Sequence, residues 1–207
     1  MISSQPMKRI AVIIGHPIPG SFSHAITDAY VASARAHGAE VRILDLAAIA
    51  FESVTHDRRD LKVAGLEDTV RLGPEIHDMA ETIDWAEHFV FAYPVWWGTY
   101  PAVLKGFFDR VFLAGFVFAN KKGTAWNKFL TGRTARVFIT MDAPAFFDKI
   151  WYRGASAASL KFPILWFVGV KTKGITRFDR VRFSTLERRS AWLLKTAELA
   201  RKDASAK

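Results

Sequence analysis

Three stretches of the chain carry residue types whose spacing fits ligand chemistry better than loop structure alone. The first is GHPIPGSFSHA (residues 15–25), with a glycine, two prolines and a second glycine ahead of a Ser-Phe-Ser that opens a helix-like run. A helix start offers free N–H groups and a partial positive charge, which hold phosphate oxygens. The hydroxyls of Ser21 and Ser23 and the ring of His16 add further donors. The second is YPVWWGTYP (93–101), which sets two indoles between a proline and a glycine, where small polar residues are usual. A planar ligand needs flat walls, backbone donors for its polar edge and exclusion of water. Gly98 lets backbone approach closely, and Trp96 or Trp97 supplies an aromatic face. The third is TMDAPAFFDKIWYRG (140–154), where Thr140 and neighbouring N–H groups can donate to a ring edge. Asp142 there reads as a turn residue bonded to its own backbone, and Tyr152 as the best-placed proton donor.

Each of these residues also has a structural reading. Ser21 or Ser23 serves as a helix cap, the tryptophans fill core or a subunit contact, and Tyr152 is packed. The loops matter together only if the fold brings them together, so the elements between them decide.

RIAVIIG (9–15) is a continuous apolar run ending in glycine, as expected of a strand buried on both faces. SHAITDAYVASARAHG (23–38) has helical spacing and a glycine stop. EVRILDL (40–46) is a second strand, and 52–73 reads as loop with some helix. PEIHDMAETIDWAEH (74–88) is a helix begun by Pro74. FVFAYP (89–94) is the third strand, PAVLKGFFDRVF (101–112) a helix with Pro101 at its first position, and TARVFIT (134–140) the fourth strand. Residues 155–168 read as helix and VKTKGITRFDRV (170–181) as the fifth strand. The last helix starts at STLE (184–187), a capping box with Ser184 as cap and Phe183 as a hydrophobic staple.

Strand and helix alternate about five times, which predicts a single α/β domain over residues 1–207, a parallel sheet covered on both faces. The expected architecture is a three-layer sandwich of five parallel strands in the order 2-1-3-4-5. In that order winding reverses between strands 1 and 3, and ligands bind beyond the strand ends at the switch point. The loops 15–25 and 93–101, far apart in sequence, would then be neighbours.

Other chemistries fit less well. The first loop is neither G-x-G-x-x-G nor G-x-x-x-x-G-K-[ST], which disfavours a dinucleotide fingerprint or P-loop. GASAA (154–158) lacks the last glycine of a nucleophile elbow. The six histidines are scattered, and no metal site is expected. The chain has 207 residues, half of them apolar, and no cysteine, a composition compatible with a reducing cytoplasm. MISSQPMKRI lacks a signal-peptide core, and FPILWFVGV (162–170) is too short to span a bilayer. The expected location is cytoplasmic. Net charge is +9, which leaves room for an anionic partner such as a phosphorylated cofactor, an acidic lipid surface or nucleic acid. No basic stretch with interleaved aromatics reads as a nucleic-acid binder, so none is expected.

GHPIPGSFSHA and YPVWWGTYPAVLKGFFDRVFLAGFVF resemble the NAD(P)H quinone oxidoreductase family of the flavodoxin-like fold. The likeness is good over about residues 8–140 and weakens beyond. It implies non-covalent FMN or FAD, NAD(P)H as hydride donor, a quinone-like or other small electrophilic acceptor, and a homodimer with sites at the subunit interface. His16, Ser21, Phe22 and Ser23 correspond to residues around the cofactor phosphates, with Ser23 replacing the usual Asn. Pro94, Val95, Trp96, Trp97 and Gly98 correspond to the strip beside the isoalloxazine, and Gly98 replaces a bulkier residue. Thr140 starts the third flavin loop, but Met141-Asp142-Ala143-Pro144 replaces Thr-Gly-Gly, so contacts by Met141 and Asp142 are weaker expectations. The Tyr and His that assist hydride transfer in well-known members have no clear counterpart, and Tyr152 is near but not aligned. Two other readings come from different classes. One is a flavin-bearing ancillary subunit of a potassium-efflux or other membrane system, with FLAGFVFANKKGTAWN (112–127) as the partner contact. The other is a flavodoxin-type electron carrier, disfavoured by the basic charge.

Overall fold

The computed structural model describes residues 7–206, so the start of MISSQPMKRI lies outside the described residues. β1 (Arg9–Ile14) is buried at every position after Arg9, as its unbroken apolar run requires. α1 (Phe22–Ala36) leads to β2 (Glu40–Asp45), followed by two short 3₁₀ turns, Arg58–Leu61 and Glu67–Leu72. α2 (Pro74–Trp85) starts on Pro74, and β3 (His88–Pro94) is buried throughout. α3 (Ala102–Val111) follows, with Pro101 as its extended cap residue rather than its first helical one. A hairpin of β4 (Phe118–Asn120) and β5 (Trp126–Lys128) precedes β6 (Thr134–Thr140). Then come α4 (Ala145–Ile150), α5 (Ala155–Leu160) with a π-helical continuation Lys161–Trp166, β7 (Lys171–Phe178) and α6 (Leu186–Ala204).

The sheet is β2-β1-β3-β6-β7, all parallel, which is the order 2-1-3-4-5 among its own strands. Alternate side chains feed two cores. Phe89, Phe91 and Tyr93 of β3 face the layer of α2, α3 and α5, while Val90 and Ala92 face α1 and α6. Among the described residues no helix is long and apolar enough to cross a membrane.

Three local expectations are corrected. The cap of α6 is Thr185, whose hydroxyl accepts from the Arg188 N–H at 3.3 Å, and Ser184 instead donates to the Val181 carbonyl at 2.6 Å. Phe183 is three-quarters exposed and staples nothing. The segment 112–127 forms its own hairpin: Trp126 stacks on Phe167 at 4.8 Å and Phe118 packs edge-on to it at 5.0 Å, so these aromatics are used within the chain.

The C-terminal helix is fastened by a buried ionic cluster. Arg136 of β6 donates to Asp203 through Nη2 at 2.7 Å and through Nε, and Tyr30 of α1 donates to Asp203 Oδ2 at 2.9 Å. His88 Nε2 lies 3.4 Å from the same oxygen. Burial opposes the charge on Asp203, but the bonds from Arg136 and the neighbouring His88 ring outweigh it and hold the carboxyl well below the usual carboxylate range. A folded-state pKa below the unfolded one stabilises the protein above about pH 4, and the contribution fades as pH falls towards the folded value. Asp203→Asn is expected to lose about 3 kcal/mol at neutral pH, because it leaves a buried guanidinium without its counter-charge. In denaturant titrations the gap to wild type should narrow between about pH 5 and about pH 3. A gap that does not change with pH would contradict this account.

Candidate functional site

Beyond the carboxyl ends of β1, β3, β6 and β7 lies a cavity of about 510 Å³. The loop after β1 contributes His16 and Phe22, the loop after β3 contributes Pro94 to Gly98, and the loop after β6 contributes Thr140 to Ala143. Asp148 and Tyr152 come from α4 and its end, and Val181 and Arg182 from the loop after β7.

Gly15 seats the first loop. A Cβ there would stand 2.7 Å from Leu104 Cδ2 of α3, and its N–H donates to the Ala92 carbonyl at 2.8 Å, extending the β1–β3 ladder by one residue. The Ile18 N–H donates to His16 Nδ1 at 3.0 Å. Burial, and then the neighbouring His24, push the His16 pKa down, so the ring is neutral near pH 7 with Nε2 carrying the proton. His16 meets Trp96 edge-on at 5.8 Å, joining the first and second loops.

The two serines of the first loop separate in role. Ser21 is the cap residue of α1, but its hydroxyl makes no cap bond; it pairs with His24 Nδ1 at 2.8 Å. His24 Nε2 in turn lies 3.3 Å from Asp45 Oδ1. Ser23 is buried and bonds Thr140 Oγ1 at 3.3 Å, so it ties the first loop to the third and does not line the cavity. The second residue of α1 points inward, which the sequence pattern SFS does not distinguish from outward. Ser21 too lies outside the cavity lining.

The second loop is a two-residue reversal. Trp96 N–H donates to the Thr99 carbonyl at 2.8 Å and Thr99 N–H returns to Trp96 at 3.1 Å. Between them Trp97 has φ 51° and Gly98 φ 79°, the left-handed signs of a type I′ turn, which favours Asn, Asp or Gly at both positions. A tryptophan there is strained, and its indole is fully exposed at 103%. Strain at a side chain that packs on nothing is the mark of a functional position. The N–H groups of Trp97 and Gly98 take no backbone partner among the described residues.

In the third loop Met141 is buried, with its N–H bonded to the Phe178 carbonyl at 2.9 Å. Asp142 does not bond its own turn: its Oδ1 accepts from the Arg182 N–H at 2.9 Å, tying the β6 and β7 loops. Tyr152 is half exposed, its ring 3.9 Å from where a Cβ on Gly98 would stand. A Cβ there would be at ordinary contact distance from the ring, so it is the left-handed φ and not space that favours glycine at 98.

Eleven of the thirteen residues singled out from sequence thus surround one cavity, Ser21 and Ser23 excepted. Four others line it as well. Asp148 is 2% exposed; its Oδ2 accepts from Arg177 Nε at 2.8 Å, and its Oδ1 has no partner. Ala143, Val181 and Arg182 complete the wall. Only Arg182 carries a visible signal in the sequence, the arginine-rich run after the fifth strand; the sequence of α4 resembles a loop, which hides Asp148.

A family model described as a flavodoxin-like fold (Flavodoxin_2) matches residues 8–199. The chain belongs to this flavodoxin-like family. Among relatives of this flavodoxin-like chain, NAD(P)H dehydrogenase [quinone] 1 of Cavia porcellus is 31% identical over 127 residues, covering 54% of the chain and 46% of the relative. The chain therefore spans about half the length of that relative. The uncharacterized NAD(P)H oxidoreductase YcaK of Escherichia coli (strain K12) is 28% identical over 138 residues, covering 65% of the chain and 69% of the relative. The crystal structure of Smu.1420 from Streptococcus mutans UA159 superposes with a TM-score of 0.75 at 28% identity, covering 94% of the chain and 99% of that protein. An FMN-dependent NADH-azoreductase from Bacillus anthracis, solved in complex with FMN, shares the fold at a TM-score of 0.76 and 17% identity, covering 96% of the chain and 100% of that protein.

Trp97→Gly separates strain from packing. The variant relieves a left-handed conformation costing on the order of 1–3 kcal/mol and concedes about 1 kcal/mol of glycine entropy. The ligand-free protein should therefore keep its unfolding free energy or gain up to about 2 kcal/mol. A loss of more than about 1 kcal/mol would show that the indole packs and that the turn is built for stability.

Proposed function

We propose that this flavodoxin-like chain is a flavin-dependent oxidoreductase that takes hydride from NAD(P)H and reduces a quinone-like or other small electrophilic acceptor. The observation that carries the reading is the strained, exposed Trp97 beside Gly98, with free N–H groups at a 510 Å³ cavity at the sheet's switch point. The printed names of the relatives, NAD(P)H dehydrogenase [quinone] and FMN-dependent NADH-azoreductase, support the same chemistry.

The residues present fit FMN or FAD. The Trp96–Trp97 turn offers a flat wall, and the N–H groups of Trp97 and Gly98 are unclaimed donors for a polar ring edge. The α1 N-terminus, with Phe22 against it, faces the same crevice for the phosphate end. When bound, the flavin supplies the two-electron chemistry between NAD(P)H and acceptor. The chain's own contribution is positioning and exclusion of water. Trp96 is held by His16, the neutral His16 ring keeps an N–H donor at Nε2, and Tyr152 covers Gly98 with its phenol half in solvent. Tyr152 is the side chain at the cavity suited to hand a proton to a reduced acceptor. Arg182 supplies positive charge for an anionic donor such as NAD(P)H.

A homodimer completes this reading, in line with the family resemblance. Phe146, Ile150 and Trp151 are exposed on and just after α4, next to Asp148 and Tyr152 at the cavity, and a second copy would cover them. We place the protein in the cytoplasm, in keeping with its lack of cysteine. No observation favours the ancillary-subunit reading, since residues 112–127 pack onto Phe167 of their own chain.

The purified protein should be yellow, with FMN or FAD identified by mass after release. Trp97→Ala should weaken flavin binding by roughly two- to tenfold, the worth of one aromatic contact, measured by fluorescence titration of the stripped protein. A colourless protein that neither flavin reconstitutes would overturn the reading.

A further inference from the structure

The net positive charge of this protein is unevenly distributed along the chain. Residues 110–141 and 149–178 contain twelve Lys and Arg and no Asp or Glu, while the rest of the chain has seventeen Lys and Arg against all twenty Asp and Glu. The net charge of +9 therefore arises wholly within those two segments. Arg133, Arg136 and Arg177 of these segments are paired with Asp84, Asp203 and Asp148, but Lys128, Lys161 and Lys171 come together where the β4–β5 hairpin, the start of β7 and the π-helical turn 161–166 meet. A cavity of about 430 Å³ there is lined by Lys128, Lys161 and Lys171, with Phe162 and Trp166 as its aromatic wall. Lys171 opens β7, so this face lies at the end of the sheet opposite the flavin cavity.

The face is both apolar and cationic. Phe162 is 53% and Trp166 55% exposed. Together with Pro163 and Phe167 they line an adjoining shallow hollow that has no charged residue in its lining. Lys128 donates to the Trp166 carbonyl at 2.9 Å and holds its ammonium 3.7 Å from the indole centroid, which fixes ring and cation as one unit. None of Lys128, Lys161 and Lys171 has a carboxylate partner among the described residues.

We propose that this face docks the protein on an anionic lipid surface. Exposed Trp and Phe flanked by lysines suit the boundary between acyl chains and headgroups, where the rings bury and the ammonium groups meet lipid phosphates. A second copy of this chain fits less well: a twofold contact sets the same patch against itself, lysine against lysine with no acid to relieve it. A nucleic acid fits less well too, because the hollow of Phe162, Pro163, Trp166 and Phe167 has no charged residue in its lining and offers a polyanion little besides apolar surface and the single indole N–H of Trp166. Docking by this end leaves the opposite end of the sheet, with its cavity, turned away from the lipid. The proposal does not depend on the flavin reading.

The test is flotation of the full-length protein with phosphatidylcholine vesicles, with and without phosphatidylglycerol, at low and raised salt. Binding is expected only with phosphatidylglycerol, and weaker as salt rises. Lys161→Gln and Lys171→Gln, both on exposed positions, should each weaken it roughly fivefold. Phe162→Ser should weaken it as well, with circular dichroism unchanged. Flavin content and NAD(P)H oxidation, read on the same preparations, report separately on the proposed activity. Absence of flotation, equal flotation on pure phosphatidylcholine, or flotation indifferent to all three variants would overturn the proposal. So would a Phe162→Ser variant that splits a dimer in size-exclusion chromatography, or tighter binding to a DNA oligonucleotide than to the vesicles.

Discussion

Gly15 donates its N–H to Ala92 at 2.8 Å, and Val95 donates to Thr140 at 2.8 Å, each one step beyond the last paired residues of its ladder. Those two bonds carry the sheet's register into the loops. The pairs Ile14–Ala92 and Pro94–Thr140 set the level at which each strand ends, and the loops depart from there at nearly fixed heights. Because β2 and β3 flank β1 on opposite sides, the chain leaves β1 and β3 towards opposite faces and opens a crevice between them. His16, Trp96 and Thr140 meet only because this register holds. A slip by one residue would send every side chain of a strand to the other face.

The cavity itself is cross-braced by polar contacts between distant segments. Ser23 with Thr140, Asp142 with Arg182, and Asp148 with Arg177 each join two loops or strands that the sheet alone leaves independent. Trp97 is the exception. Its backbone is held by the Trp96–Thr99 bonds in a conformation its residue type disfavours, and its indole has no packing to offset that. Rigid walls around one strained, outward ring are what a site for a flat ligand requires.

The sheet was legible because its strands are buried on both faces. RIAVII, HFVFAYP and TARVFIT are unbroken apolar runs, and the alternation with helical stretches leaves few topologies. The hairpin β4–β5 was not, since three-residue strands carry no usable period. α4 was missed because AFFDKI follows Pro144 directly and spans less than two turns. Asp148 was hidden with it, a carboxylate whose burial depends on Arg177, 29 residues away. The orientation of Ser23 and the partner of Asp142 are likewise long-range facts. A hydroxyl at a helix start looks the same in sequence whether it faces a ligand or a neighbouring strand. Capping at α6 failed by one residue, Thr185 for Ser184, because both offer a hydroxyl and only the backbone path decides between them.

The face of Lys128, Lys161 and Lys171 and the cavity lie at opposite ends of one sheet, so a surface role and a ligand role need not compete. The central claim is that the three loops held by the β1, β3 and β6 ladders form the flavin site. Amide hydrogen exchange of the stripped protein, with and without FMN, tests it most directly. The account predicts added protection at residues 15–24, 94–99 and 140–143, and none in the β4–β5 hairpin. Protection confined to other segments, or no change at saturating FMN, would contradict it.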